Sequence, residues 1–209
     1  AHALGLKALY YGEIRYIDWC LCKILDAVEA GNQADNTLIV FCTDHGDHLG
    51  DHRSWQKEGF FEASTRIPYL VSWPDRLPAD SRRNELVCLT DLFGLATSAA
   101  GTPELRDGID VLGMLEDRAQ PRKTLFGYHG KPGGRYFKIM VREGDWKYIF
   151  MANGGREQLF NVKDDPLELH QRLAEVPEIA RRMKQAAVAN LRHPGGEDAL
   201  SGDDLLVLP

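Results

Sequence analysis

The chain has 209 residues, 44% of them hydrophobic and 27% charged, proportions that suit a globular protein with a sizeable core. Its net charge of −6, spread along the chain without an acidic tail, argues against a nucleic-acid binder, which would carry a basic face. Cys20, Cys22, Cys42 and Cys88 form no CxxC pair, which argues against a zinc-cysteine site or a disulfide framework and fits a reducing compartment. No apolar run reaches membrane-spanning length. The first ten residues read as the middle of a fold rather than as a leader. The expectation is therefore a piece of a longer protein, and the compartment, cytoplasmic or periplasmic, stays open.

In chain order, Tyr10–Glu29 predicts an amphipathic helix. Tyr10, Ile14, Ile17, Leu21, Ile24, Leu25 and Val28 recur at helical spacing, and Gly31-Asn32 is the stop. The run from Thr37 to Cys42 predicts a strand buried on both faces, as in a parallel sheet. Ile67–Pro74 predicts a second buried strand. Thr90 or Asp91 is expected to cap a helix over Leu92–Ala100 that Gly101 ends. Helix, strand, loop, strand and helix in this order predict an α/β fold with layered elements. The character changes between Leu112 and Pro121. Beyond it, 124–128, 137–142, 146–151 and 158–162 predict an antiparallel meander with glycine-containing turns. Asp164-Asp165-Pro166 reads as a turn. A last helix starts at Pro177 with Ile179, Met183, Ala187 and Leu191 as its apolar stripe. The acidic stretch from Glu197 is expected to fray as far as the apolar run Leu205-Leu206-Val207-Leu208. The domains expected are 1–118, an α/β core part, and 119–209, a small antiparallel-sheet-and-helix subdomain.

The chemistry concentrates after the first strand. Asp44, His45, Asp47, His48, Asp51 and His52 fall in one short loop with Gly46 and Gly50, and Lys57 follows. Ligands bind beyond the carboxyl ends of strands in open α/β sheets. Carboxylate oxygens suit Ca²⁺ or Mg²⁺, and imidazole admits Zn²⁺, Mn²⁺ or Fe²⁺. Six donors on so short a loop cannot all reach one ion. Lys57 reads equally as a solvated lysine or as a fixed cation for a sulfate or phosphate oxygen. Arg66 reads as a structural ion-pair partner.

The stretch Thr37–His52, then Trp55-Gln56-Lys57, then Phe61–Pro68, resembles the type I sulfatase family of the alkaline phosphatase superfamily. Tyr10–Ile14 with Ile17-Asp18, Thr90–Phe93, Asp107–Asp110, Gly144–Tyr148 and Glu157–Pro166 resemble other landmarks of that family. The resemblance implies the C-terminal part of an alkaline phosphatase-like mixed or parallel sheet core plus the small subdomain. It implies that Asp44 and His45 are metal ligands. It implies that Lys57 is the catalytic and substrate-binding contact to sulfate, and it places His52 near the substrate mouth. Many sulfatases carry asparagine where His45 stands. The resemblance thus implies Ca²⁺, while the imidazole opens Mg²⁺, Mn²⁺, Fe²⁺ and Zn²⁺ as alternatives.

The family's nucleophile is a formylglycine made from Cys or Ser in a Cys/Ser-x-Pro-Ser-Arg run. No Pro-Ser-Arg triplet occurs here, so the expectation is a sulfuric ester hydrolase whose nucleophile lies outside this chain. The isolated chain is expected to be inactive, with a sulfate ester of a small molecule or sugar as the substrate of the parent protein. A phosphonate monoester or phosphodiester hydrolase of the same superfamily is the alternative. A non-catalytic module that completes a partner is the alternative of another class. A homo-oligomer formed through surface exposed by truncation is also expected.

Overall fold

The computed structural model describes residues 2–209, and they divide into two compact units. The first runs up to Lys57 and includes Ala63–Gln120; the second is Glu58–Glu62 with Pro121–Pro209.

The first unit begins with α1 (His2–Ala30). Gly31 N–H donates to Ala27 O at 3.1 Å, and Asn32 takes the left-handed conformation at φ 52°. This is how helices commonly end, and asparagine tolerates it. Most apolar side chains of α1 are exposed, Trp19 at 56% and Ile17 at 55% among them, while Tyr10, Leu21 and Val28 are half-buried.

β1 (Ile39–Cys42) pairs with β2 (Tyr69–Ser72), Ile39 opposite Ser72 and Cys42 opposite Tyr69. The pairing is antiparallel, which corrects the parallel, doubly buried reading of these two runs. Both strands are partly exposed, and β2 alternates between half-buried and exposed residues. A continuous apolar run does not encode strand direction, which explains the misreading.

Val40, Tyr69 and Val71 pack on a core of Trp73, Leu95, Val111, Leu112 and Met114. Leu95 comes from α3 (Asp91–Ala99), and Val111, Leu112 and Met114 from α4 (Val111–Leu115). Asp110 caps α4 by accepting from Gly113 N–H at 2.9 Å. Neither residue proposed as cap of α3 acts as one. Thr90 makes no capping hydrogen bond. Asp91 is fully buried, and its carboxylate accepts from Cys88 N–H at 2.7 Å and Ile109 N–H at 3.0 Å. It ties two loops together instead.

The second unit is a four-stranded antiparallel meander: β3 (Thr124–His129), β4 (Lys138–Glu143), β5 (Trp146–Met151) and β6 (Arg156–Asn161). Gly144 at φ 53° forms the two-residue turn that places Glu143 opposite Trp146. One face carries Ile139, Val141, Tyr148, Phe150 and Leu159, which pack on Met183, Ala187, Val188 and Leu191 of α5 (Pro177–Leu191). Each such fully buried aliphatic side chain stabilises by roughly 1.5–3 kcal/mol.

The opposite face carries Met140, Ile149 and Phe160, and Phe60 covers them. The segment Glu58–Glu62 is therefore a strap on the second face. Covering both faces leaves the middle of β5 buried without alternation. The stretch 197–204 is ordered, contrary to the expectation of fraying: Glu197–Ala199 form a short 3-10 turn, and Leu200-Ser201 pair with Asp204-Leu205. Leu208 N–H donates to Ala152 O at 2.8 Å, and Leu205 is buried in the hairpin of β7 (Leu200–Ser201) and β8 (Asp204–Leu205). Backbone pairing and apolar burial offset its acidic composition.

Candidate functional site

The loop that follows β1 is held by its own backbone. Asp47 Oδ1 accepts from Leu49 N–H at 2.8 Å and Gln56 N–H at 3.2 Å. His48 is buried, and its N–H donates to Gln56 O at 2.9 Å. These bonds stabilise a strained path, since Leu49, His52, Arg53 and Gln56 all have positive φ. Each such non-glycine residue costs on the order of 1 kcal/mol. Gly46 meets the strap's return: its N–H donates to Ser64 O at 2.8 Å, and a Cβ there would lie 2.1 Å from Ala63 O. Only glycine fits that approach.

Asp44, His45 and Lys57 come together. Asp44 Oδ1 accepts the backbone N–H of His45 at 3.0 Å, and Oδ2 lies 3.2 Å from His45 Nε2. His45 Nδ1 stands 2.7 Å from Gly46 O, an acceptor, so Nδ1 carries the proton and Nε2 its lone pair. The Lys57 ammonium donates to that lone pair at 2.7 Å. Asp44 is open to solvent and His45 half so. Ser64, buried, donates its hydroxyl to Lys57 O at 2.9 Å.

His52 is placed differently. Its ring lies edge-on to His48, centroids 6.5 Å apart. Asp47 and His48 serve the loop backbone. Among the described residues, no group of three or more His, Cys, Asp or Glu side chains converges on one point.

A further polar cluster escaped sequence reading. Lys147, in β5, has 1% of its side chain exposed and lies 2.5 Å from Glu62 Oε1 and 2.8 Å from Glu168 Oε1. The available signal was a lysine inside an apolar strand, where an unpaired charge is very costly.

Comparisons with known proteins bear on the family and the fold. The family model described as Sulfatase matches residues 5–102. Choline-sulfatase of Rhizobium meliloti (strain 1021) is 34% identical over 179 residues, covering 82% of this chain and 33% of that protein. Arylsulfatase K of Mus musculus is 28% identical over 203 residues, covering 91% of this chain and 36% of its own length. The crystal structure of the phosphonate monoester hydrolase of Agrobacterium radiobacter superposes with a TM-score of 0.72 at 25% identity, over 84% of this chain and 39% of that one. The fold is an α/β fold of the alkaline phosphatase-like kind. Residues 5–102 carry the sequence pattern of the sulfatase family, and the likeness to sulfatases extends over most of the chain. The chain spans about a third of the length of the curated relatives it matches.

Proposed function

We propose that the complete protein is a hydrolase of sulfate esters, of a small molecule or a sugar, and that Asp44, His45 and Lys57 form this chain's share of its active site. The observation that carries the reading is the convergence of carboxylate, imidazole and ammonium just past β1. The likeness to choline-sulfatase and arylsulfatase K supports the substrate class.

The donor chemistry fits one divalent cation. A carboxylate oxygen and an imidazole nitrogen 3.2 Å apart can both face one ion. Asp44 and His45 would hold it. The Gly46 carbonyl fixes the His45 tautomer that presents Nε2, as hydrogen-bonded partners of metal-binding histidines do. Ca²⁺ remains the first assignment, with Mg²⁺, Mn²⁺ and Zn²⁺ as alternatives.

A bound metal would supply Lewis acidity, and a formylglycine hydrate from outside these residues would supply the attacking oxygen. Lys57 contributes a fixed positive charge beside the sulfate oxygens, where negative charge grows in the transition state. The hydrogen bond from Ser64 holds the main chain of Lys57. His52 is retained as a substrate contact, on a loop whose backbone Asp47 and His48 anchor.

The test is made on the complete protein. Asp44→Ala and His45→Ala should lower bound metal, read by elemental analysis, and Lys57→Ala should slow aryl sulfate hydrolysis. Unchanged metal content and turnover would refute the assignment. A second reading, a phosphonate monoester hydrolase, is favoured by the Agrobacterium likeness. Matched sulfate, phosphate and phosphonate esters separate the two by their relative rates.

A further inference from the structure

At one end of the meander the strand register sets four side chains in a row. His129 of β3 stands opposite Lys138 of β4, Lys138 opposite Met151 of β5, and Met151 opposite Arg156 of β6. Directly paired residues share a face of the sheet, so this row holds two fixed cations and no carboxylate. Lys138 and Arg156 stand two strands apart, about 10 Å across the sheet.

Two loops wall in the row. The β3–β4 loop brings Arg135 and Tyr136, and the β5–β6 turn brings Asn153. With Lys138, Met151 and Arg156 they line a cleft of about 210 Å³, and none of its lining residues is acidic. The walls are tied to each other. Arg135 Nε donates to Asn153 Oδ1 at 3.3 Å, and Ala152 N–H donates to Phe137 O at 2.9 Å. Gly154 N–H donates to Leu208 O at 2.7 Å, so the last residues of the chain hold the turn. The cleft lies within the second unit and is built without a ligand.

The fold gains nothing by gathering three cations at one end of a sheet, where like charges repel. Arg135 and Arg156 are exposed. Lys138 donates to the carbonyl of Glu58, which leaves its ammonium two further donors. Burial holds the Lys138 pKa below the usual lysine value, and the Glu58 carboxylate offsets this only in part. An oxyanion in the cleft supplies the missing charge, and two guanidinium forks can grip it bidentately.

The other lining residues indicate what carries the oxyanion. Tyr136 is 72% exposed and offers a flat apolar face. Met151 adds apolar surface, and the Asn153 amide both donates to and accepts from hydroxyls. A flat face edged by such polar groups suits a pyranose ring. The cleft is smaller than the roughly 300–1,000 Å³ of drug-sized pockets, which gives room for one ring.

We propose that this cleft binds a single sugar ring bearing a sulfate or a carboxylate, with Arg135, Lys138 and Arg156 on the oxyanion and Tyr136 against the ring. The proposal is independent of the roles given to Asp44, His45 and Lys57.

The experiment is titration calorimetry on the complete protein, with Lys57 intact and with Lys57→Ala. The probes are glucuronate, N-acetylglucosamine 6-sulfate, neutral N-acetylglucosamine and inorganic sulfate. At least one of the two anionic sugars should bind, and comparing them tells sulfate from carboxylate. Neutral sugar and inorganic sulfate should each bind about tenfold more weakly or not at all, since each lacks one half of the recognition. Arg135→Ala and Arg156→Ala should each weaken the anionic sugar about 5- to 10-fold, the loss of one charge-assisted pair. Tyr136→Ala should weaken the sugar and leave inorganic sulfate unchanged. Binding should survive Lys57→Ala.

Failure of both anionic sugars to bind would overturn the proposal, as would full affinity in Arg156→Ala. Equal affinity for the neutral sugar would remove the oxyanion from it. Binding lost in Lys57→Ala but kept in Arg156→Ala would move the ligand to the loop after β1 and refute the cleft. If Arg135→Ala melts below wild type, Arg156→Glu, at an exposed strand end, decides in its place: it should abolish binding, and unchanged affinity would overturn the proposal.

Discussion

The hydroxyl of Ser64 donates to the carbonyl oxygen of Lys57 at 2.9 Å, and only 3% of Ser64 is exposed. The bond closes the base of the excursion that the chain makes between these two residues. Ser64→Ala leaves that carbonyl without its partner. The expected loss is about 1 kcal/mol of unfolding free energy, read from urea denaturation at unchanged slope.

Gly46 gives a sharper test of the same region. An alanine Cβ would meet Ala63 O at 2.1 Å, and the backbone cannot retreat without losing the Gly46–Ser64 hydrogen bond. Gly46→Ala should destabilise by about 2 kcal/mol or more. Gly12→Ala is the control. That glycine lies in α1 with no atom within 4 Å of its added Cβ, so the change should stabilise the helix by up to about 1 kcal/mol. Melting temperatures of the two variants should move in opposite directions.

Tyr69 carries a buried hydroxyl with no hydrogen-bond partner among the described residues. Burial, and after it the nearby Asp91 carboxylate, push its pKa above the ordinary tyrosine value. The folded state therefore keeps its proton at a pH where tyrosines of the unfolded chain lose theirs. Stability from this group is full below about pH 10 and falls as pH rises beyond it. Tyr69→Phe should be neutral or up to about 1 kcal/mol stabilising at pH 7. It should also make the alkaline loss of stability shallower, which melting scans at neutral and alkaline pH would read.

Lys184 of α5 bridges Glu157 Oε1 at 3.0 Å and Asp204 Oδ1 at 2.8 Å. Burial raises the Asp204 pKa, but the hydrogen bonds from Lys184 and from the Leu205 N–H outweigh it, so the carboxyl sits below its usual range. A depressed carboxylate contributes stability above its unfolded pKa and loses it as pH falls through the folded value, here below about pH 4. Asp204 is 60% exposed, so screening limits the effect to about 0.5 kcal/mol. Asp204→Asn should melt slightly below wild type at pH 6, and the gap should close by pH 3.

Local features were legible in the sequence. Gly144-Asp145 marks its hairpin because few residues turn so tightly, and Pro177 marks the start of α5 because its missing N–H costs nothing there. Lys57 and His45 are 12 residues apart on one loop; local sequence left Lys57 open between a solvated lysine and a fixed cation, and only the family resemblance set the two in one site. Asp91 was misread because the same short carboxylate serves helix caps and buried loop ties alike. The pairing of β1 with β2 was hidden by apolar runs that carry no direction. The strap was hidden for a different reason: Phe60 and Lys147 are 87 residues apart, and no local pattern joins them. With the strap unseen, the uniform burial of β5 had no cause that periodicity could supply.

The strap also sets an order of events during synthesis. Residues 58–62 leave the ribosome long before the strands that receive them. Until β6 and Glu168 emerge, Phe60 and Phe61 have no apolar surface of the meander to cover. Once the sheet forms, it has to capture a distant segment before Met140, Ile149 and Phe160 are shielded from water. That long-range closure is slow compared with hairpin formation. Any delay in that closure leaves one apolar sheet face open to water, a surface that favours aggregation.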